Sequence, residues 1–105
     1  MNRMVSVRTE ALAGQALDWA INAIEGARQP TAGQLQLFTQ IDAEQLIEKY
    51  GVWVERGHSY PWLADATHDP CNRQPGDTRE IAVYRAVVFA QVGTTVRVPA
   101  ELIQL

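Results

Sequence analysis

The chain is short of cysteine, of lysine and of long apolar runs. A single cysteine among 105 residues excludes an internal disulfide, and with it the stapled scaffold of small secreted domains. No run of about 18 apolar residues occurs, so no membrane-spanning helix is expected. The opening stretch MNRMVSVRTE lacks the apolar core of a secretory signal, which makes the cytoplasm the expected location. Charge of neither sign dominates. Nine Lys plus Arg against twelve Asp plus Glu leave a net charge of −3, which gives no global attraction to nucleic acid or to an anionic membrane.

What is present describes a globular protein. The 47% hydrophobic content suffices for a core, and the 20% charged content is too low for a disordered chain. The length fits one domain over residues 1–105. Met4 to Arg8 alternate apolar and polar, predicting a strand with Val5 and Val7 inward. Across Leu12 to Glu25, the residues Ala13, Leu17, Ala20, Ile21 and Ile24 recur at helical spacing, with Gly26 and Pro30 as stop signals. Residues 27–41 read as a loop tucking in Leu35, Leu37 and Phe38, or as a short helix. Asp42 caps a short helix through Tyr50, ended by Gly51, and Val52–Arg56 alternates as a second strand. An extended 45–56 is the alternative. From Gly57 to Gly76 the prolines, glycines and both histidines predict a long irregular loop, with at most a short extended piece at Trp62–Ala64. Asp77 or Thr78 then caps a helix to about Gln91, closed by Gly93, before a last strand at Thr95–Val98. The expected architecture is a small α+β domain: an antiparallel or mixed sheet of about three strands with two main helices on one face.

Constellations for chemistry are sparse. There is no G-x-S-x-G, and Ser59 is the only serine beyond the first strand. Gly33, Gly51, Gly57, Gly76 and Gly93 stand alone rather than in a phosphate-binding turn. His58, His68, Cys71, Asp65 and Asp69 match no zinc spacing and read as solvated loop polars; a transition-metal set of His68, Asp69 and Cys71 is the alternative. The expectation is no catalytic residue, no metal and no cofactor.

Three sets of residues stand out. On a helical wheel of about 100° per residue, Arg85 falls inside the apolar arc of Ile81, Val88 and Val92. A guanidinium there needs a carboxylate, several carbonyls, or a route out along its stem. Asp18, at the shoulder of the first helix's stripe, is the candidate partner, either as a structural pair or as the orienting group of an anion site at Arg85. The opposite side of the same helix carries Val83, Ala86, Val87 and Ala90. A helix apolar all round is buried on two sides or used at an interface. Together with Trp19, which lies off the first helix's stripe, Val83, Val87 and Ala90 form a candidate protein-interaction or dimer surface. Finally, Arg8, Trp53 and Arg97 lie together if all three strands share one open sheet face, where arginines and an aromatic can hold single-stranded nucleic acid.

The segment Leu12-Ala13-Gly14-Gln15-Ala16-Leu17-Asp18-Trp19-Ala20 with Glu25-Gly26 resembles the opening L-x-G-x-A-L-D-W-A…G of the phage NinX-like family. Ile47-Glu48-Lys49-Tyr50-Gly51-Val52 is similar to its central segment, and Trp62-Leu63-Ala64 to a later W-x-A. Gly76-Asp77-Thr78, Ile81-Ala82, Arg85 and Gly93, then Val96-Arg97-Val98-Pro99 and Glu101-Leu102, follow its ending. Glu44-Gln45 and Thr78-Arg79 stand where the family has Gly-Gly and Thr-Pro. The resemblance implies a small bacteriophage or prophage accessory protein in the bacterial cytoplasm, and brings no reaction, cofactor or catalytic residue. The expectation is therefore a non-enzymatic protein that binds a protein partner or a second copy of itself. Single-stranded nucleic-acid binding, or a small anion at Arg85, are the alternatives.

Overall fold

The alternation near the start becomes strand β1, Met4–Arg8, and its partner is the last strand, β5, Thr95–Pro99. They pair antiparallel with Val5 opposite Val98 and Val7 opposite Val96, so the valines share one face. Val96 and Val98 are buried, while Ser6, Arg8, Thr95 and Arg97 are exposed, as a ribbon with one solvated side requires. Both ends of the ribbon are tied. The buried Thr9 hydroxyl donates to Gly93 O at 2.6 Å and its N–H to Thr94 O at 2.9 Å, while Ala100 N–H donates to Arg3 O at 2.8 Å. This computed structural model describes residues 3–25 and 42–103; the stretch 27–41, read as a loop or short helix, lies outside the described residues.

Helix α1 spans Gly14–Glu25 and buries Leu17, Ala20 and Ile21 as its periodicity predicts, and Ala16 and Trp19 besides. Helix α2 spans Ala43–Tyr50. Asp42 caps it, its side chain accepting from Glu44 N–H at 3.0 Å, and Gly51 ends it in the left-handed region. The C-terminal ends of these two helices are clamped together. The Glu25 carboxylate accepts from Lys49 Nζ at 3.1 and 3.2 Å and from the Tyr50 hydroxyl. A carboxylate at a helix C-terminus is unfavourable on its own, and Lys49 offsets it. Burial, reinforced by Glu25, holds the Tyr50 hydroxyl above its ordinary pKa, and the hydrogen bond to Glu25 raises that of Lys49.

The stretch Gly57–Gly76 is irregular only in part: the extended piece read at Trp62–Ala64 is a strand, and a second, unexpected strand follows it. Strand β2, Trp53–Arg56, turns back into β3, Trp62–Asp65, which pairs in turn with β4, Gln74–Gly76. The register is antiparallel throughout: Glu55 opposite Leu63, Arg56 opposite Trp62, and Leu63 opposite Pro75. Sequence propensity hides β4 because Gln, Pro and Gly are poor strand formers. Pro75 is tolerated because β4 is an edge strand. A 3-10 turn at Pro70–Asn72 precedes it.

Helix α3, Arg79–Val92, runs through the middle of the molecule. Thr78 caps it, its hydroxyl accepting from Ile81 N–H at 3.1 Å. Helices α1 and α2, strands β3, β4 and β5, and a 3-10 turn at Thr9–Ala11 all pack on it. At one point the approach is backbone to backbone. A Cβ added at Gly76 would lie 2.4 Å from Ala82 N and 2.8 Å from Ala82 Cα, so no larger residue fits. The small α+β class holds, but the strands form a two-stranded ribbon and a three-stranded sheet rather than one sheet. That division lets a short chain surround α3.

Candidate functional site

Wrapping α3 from several directions overturns the expected interaction surface. Val83, Val87 and Ala86 are buried within the chain, and of that side only Ala90 is exposed. Trp19 is 2% exposed and offers no anchor to a partner. A groove of about 340 Å³ passes it, lined by Ala23, Ile24, the half-exposed Val92 and Arg97 among others.

Arg85 is satisfied differently from the expectation. Its Nε donates to Leu12 O at 2.7 Å and its Nη1 to Pro75 O at 2.8 Å; no ion pair joins it to Asp18. Arg85 therefore braces the segment entering α1 against β4, with carbonyls in place of a carboxylate. Partial burial pulls the guanidinium below its ordinary pKa, opposed by the fields of Asp77 and Glu10, and the group stays charged all the same. Asp18 is an exposed residue whose carboxyl is nonetheless held above the usual range by partial desolvation. Its backbone carbonyl accepts from Asn22. With two of its donor positions on carbonyls and two carboxylates nearby, Arg85 does not present itself as an anion grip.

The expected nucleic-acid face also comes apart. Arg8 and Arg97 lie on the ribbon, Trp53 on the other sheet. Arg8 is engaged by Glu10 at 2.7 Å. What Trp53 meets instead is Arg73, whose guanidinium stands 5.0 Å from the ring centroid while Nη1 contacts Glu55 Oε1 at 2.7 Å. Alternation along β2 puts Trp53 and Glu55 on one face and Val54 and Arg56 on the other. Val54 packs on the core, so Trp53 and Glu55 face outward. Arg73 immediately precedes β4, and its side chain spans β3 to reach them. Its Nε is buried with no hydrogen-bond partner. The chain alternation marks Trp53 and Glu55 as outward-facing, but nothing in sequence marks Arg73, because β4 itself is unreadable there.

The histidine- and cysteine-bearing segment folds on its own polar atoms. Buried Asp65 accepts from the Thr67 N–H and hydroxyl, each at 2.7 Å, and Asp69 accepts from Cys71 N–H at 3.0 Å. Cys71 is exposed and free. Among the described residues, no group of three or more His, Cys, Asp or Glu side chains is placed to hold a metal. Nor is any helix among them long and apolar enough to cross a membrane.

The fold and site thus define a small α+β protein built around one largely enclosed helix, with the exposed aromatics Trp53 and Tyr60 on the β2–β3 hairpin and exposed arginines on both sheets. Compared with known proteins, the chain matches no protein-family model, no curated protein and no solved structure.

Proposed function

We propose that this chain is a NinX-like phage or prophage accessory protein that works in the host cytoplasm by binding a protein partner rather than by catalysis. The partner seats on the outer face of the β2–β3–β4 sheet. The observation that carries this reading is Trp53, 49% exposed on a rigid strand and held by the Arg73 guanidinium. Trp, Tyr and Arg dominate the energetics of protein interfaces, and Arg73 is already neutralised by Glu55. A patch of that kind favours an amphipathic protein surface over a run of phosphates. It takes over the role that the sequence assigns to Trp19 and to Val83, Val87 and Ala90, which are enclosed apart from Ala90.

Two measurements test the reading. Light scattering over a wide concentration range detects a second copy as the partner. Affinity capture from phage-carrying bacteria, with the wild-type chain and Trp53→Ala side by side, detects a different one. The expected result is an association, of either kind, that Trp53→Ala abolishes while the circular dichroism spectrum is unchanged. A strictly monomeric chain whose captured set is the same with and without Trp53 overturns it.

A further inference from the structure

The turn joining β2 to β3 carries chemistry that the protein-binding reading does not use. Gly57 N–H donates to Pro61 O across it at 3.4 Å. A Cβ at Gly57 would lie 2.5 Å from Tyr60 O, so the turn closes tightly on its own backbone and only glycine fits there. A tight turn presents its side chains in fixed positions, which lowers the ordering cost of binding. Tyr60 is 50% exposed and His58 is exposed.

Arg56 completes the set. Its guanidinium stands 4.8 Å from the Trp62 ring centroid, directly across the β2–β3 pair, and it makes no ion pair with the described carboxylates. Glu55, its neighbour in sequence, points to the opposite face and is engaged by Arg73. The strand's alternation therefore separates a neutralised arginine on one side from a carboxylate-free, ring-supported arginine on the other. A guanidinium held over an indole face is supported there while its N–H groups can still donate to a phosphate.

We propose that this hairpin tip is a contact site for single-stranded nucleic acid, with a base stacked on Tyr60 and the flanking phosphates held by Arg56 and His58. Exposed aromatic faces beside arginines are the elements of sequence-tolerant single-strand binding. The inference replaces Arg8, Trp53 and Arg97, which the fold divides between two sheets, with residues of one hairpin, Arg56 at the end of β2 and His58 and Tyr60 in the turn. It is independent of the protein-binding reading, which rests on Trp53.

The test is fluorescence anisotropy with labelled oligo(dT) and oligo(U) of about 15 nucleotides, long enough for one such site, titrated with the full chain at low salt. Binding is expected to weaken with added salt along a log–log slope of about −0.7 per phosphate contact. Tyr60→Ala is expected to weaken it about tenfold, in the range of one lost base stack, whereas Tyr60→Phe, which keeps the ring, retains it. Arg56→Gln is expected to flatten the salt slope by about 0.7. Arg97→Gln, on the ribbon, is expected to leave affinity unchanged. Absence of binding at low salt overturns the inference, as does an Arg97→Gln loss equal to that of Arg56→Gln or a Tyr60→Ala variant that binds like wild type. A chain that binds no oligonucleotide yet keeps a Trp53-dependent partner overturns this inference alone.

Discussion

The ribbon of β1 and β5 and the sheet of β2, β3 and β4 are held to the same helix by different means. The ribbon attaches through side chains: four valines in facing pairs, of which Val96 and Val98 are buried. The sheet attaches at its third strand through backbone, with Gly76 against Ala82 and the Pro75 carbonyl accepting from Arg85. A strand that docks by side chains must spend its alternate positions on apolar residues. One that docks by backbone leaves its neighbours free to carry other groups. The sheet accordingly presents Trp53, Arg73, Glu55 and Arg56, while the ribbon's outer side carries Ser6, Arg8, Thr95 and Arg97 with no aromatic among them.

Gly76→Val should have the largest effect, because the new Cβ meets main-chain atoms that cannot move aside. A loss of about 4 kcal/mol or more, or failure to fold, is expected in urea unfolding. Tolerance of valine there would mean that the sheet does not dock by backbone at all. Arg85→Met removes the side chain that braces the segment entering α1, through Leu12 O, against β4, through Pro75 O. Two partly buried carbonyls lose a charged donor, and about 3 kcal/mol should be lost. Because Asp18 does not meet Arg85, adding Asp18→Asn should be additive to within about 0.5 kcal/mol; a larger coupling would restore the pair.

Legibility from sequence follows the same division. Strands that dock by alternating valines were readable in Met4–Arg8 and Thr95–Val98, and the caps at Asp42, Gly51 and Thr78 were readable because each is a local hydrogen-bonding rule. β4 was not, since Gln74-Pro75-Gly76 becomes a strand only when β3 lies beside it. With β4 hidden, Arg73 had no position, and the outward cluster on Trp53 could not be assembled. The wheel turned Arg85 toward the core, where it is half-buried, and carbonyl partners were among the routes open to it. Choosing Asp18 required knowing how α1 and α3 cross. The burial of Val83 and Val87 was missed because one sheet on one face cannot cover both sides of α3, and two sheets can.

A paired comparison sharpens the contrast further. Val98→Ala, fully buried in the ribbon, should cost about 2 kcal/mol, and Val54→Ala, half-buried in the sheet, about 1 kcal/mol, by thermal or chemical unfolding. Equal losses would blur the distinction between the regions. The smallest effect belongs to Asp18, outside both. Partial desolvation raises its folded pKa, so its contribution to stability is fully present below the unfolded pKa and lost as pH rises through the folded one. Asp18→Asn should therefore stabilise the chain slightly at neutral pH, with the gain fading as pH falls below the carboxylate range. A gain that persists in acid would assign it to something other than charge.

The enclosed position of α3 also governs when this chain can fold. α1, α2 and β3 emerge from the ribosome before the helix they pack on, and β1 waits for its partner β5. Early segments carrying Val5, Leu17, Ile21 and Leu46 thus remain without their core partners until residues 79–99 are made. Translation of residues 79–99, rather than any early module, commits this fold to its native state.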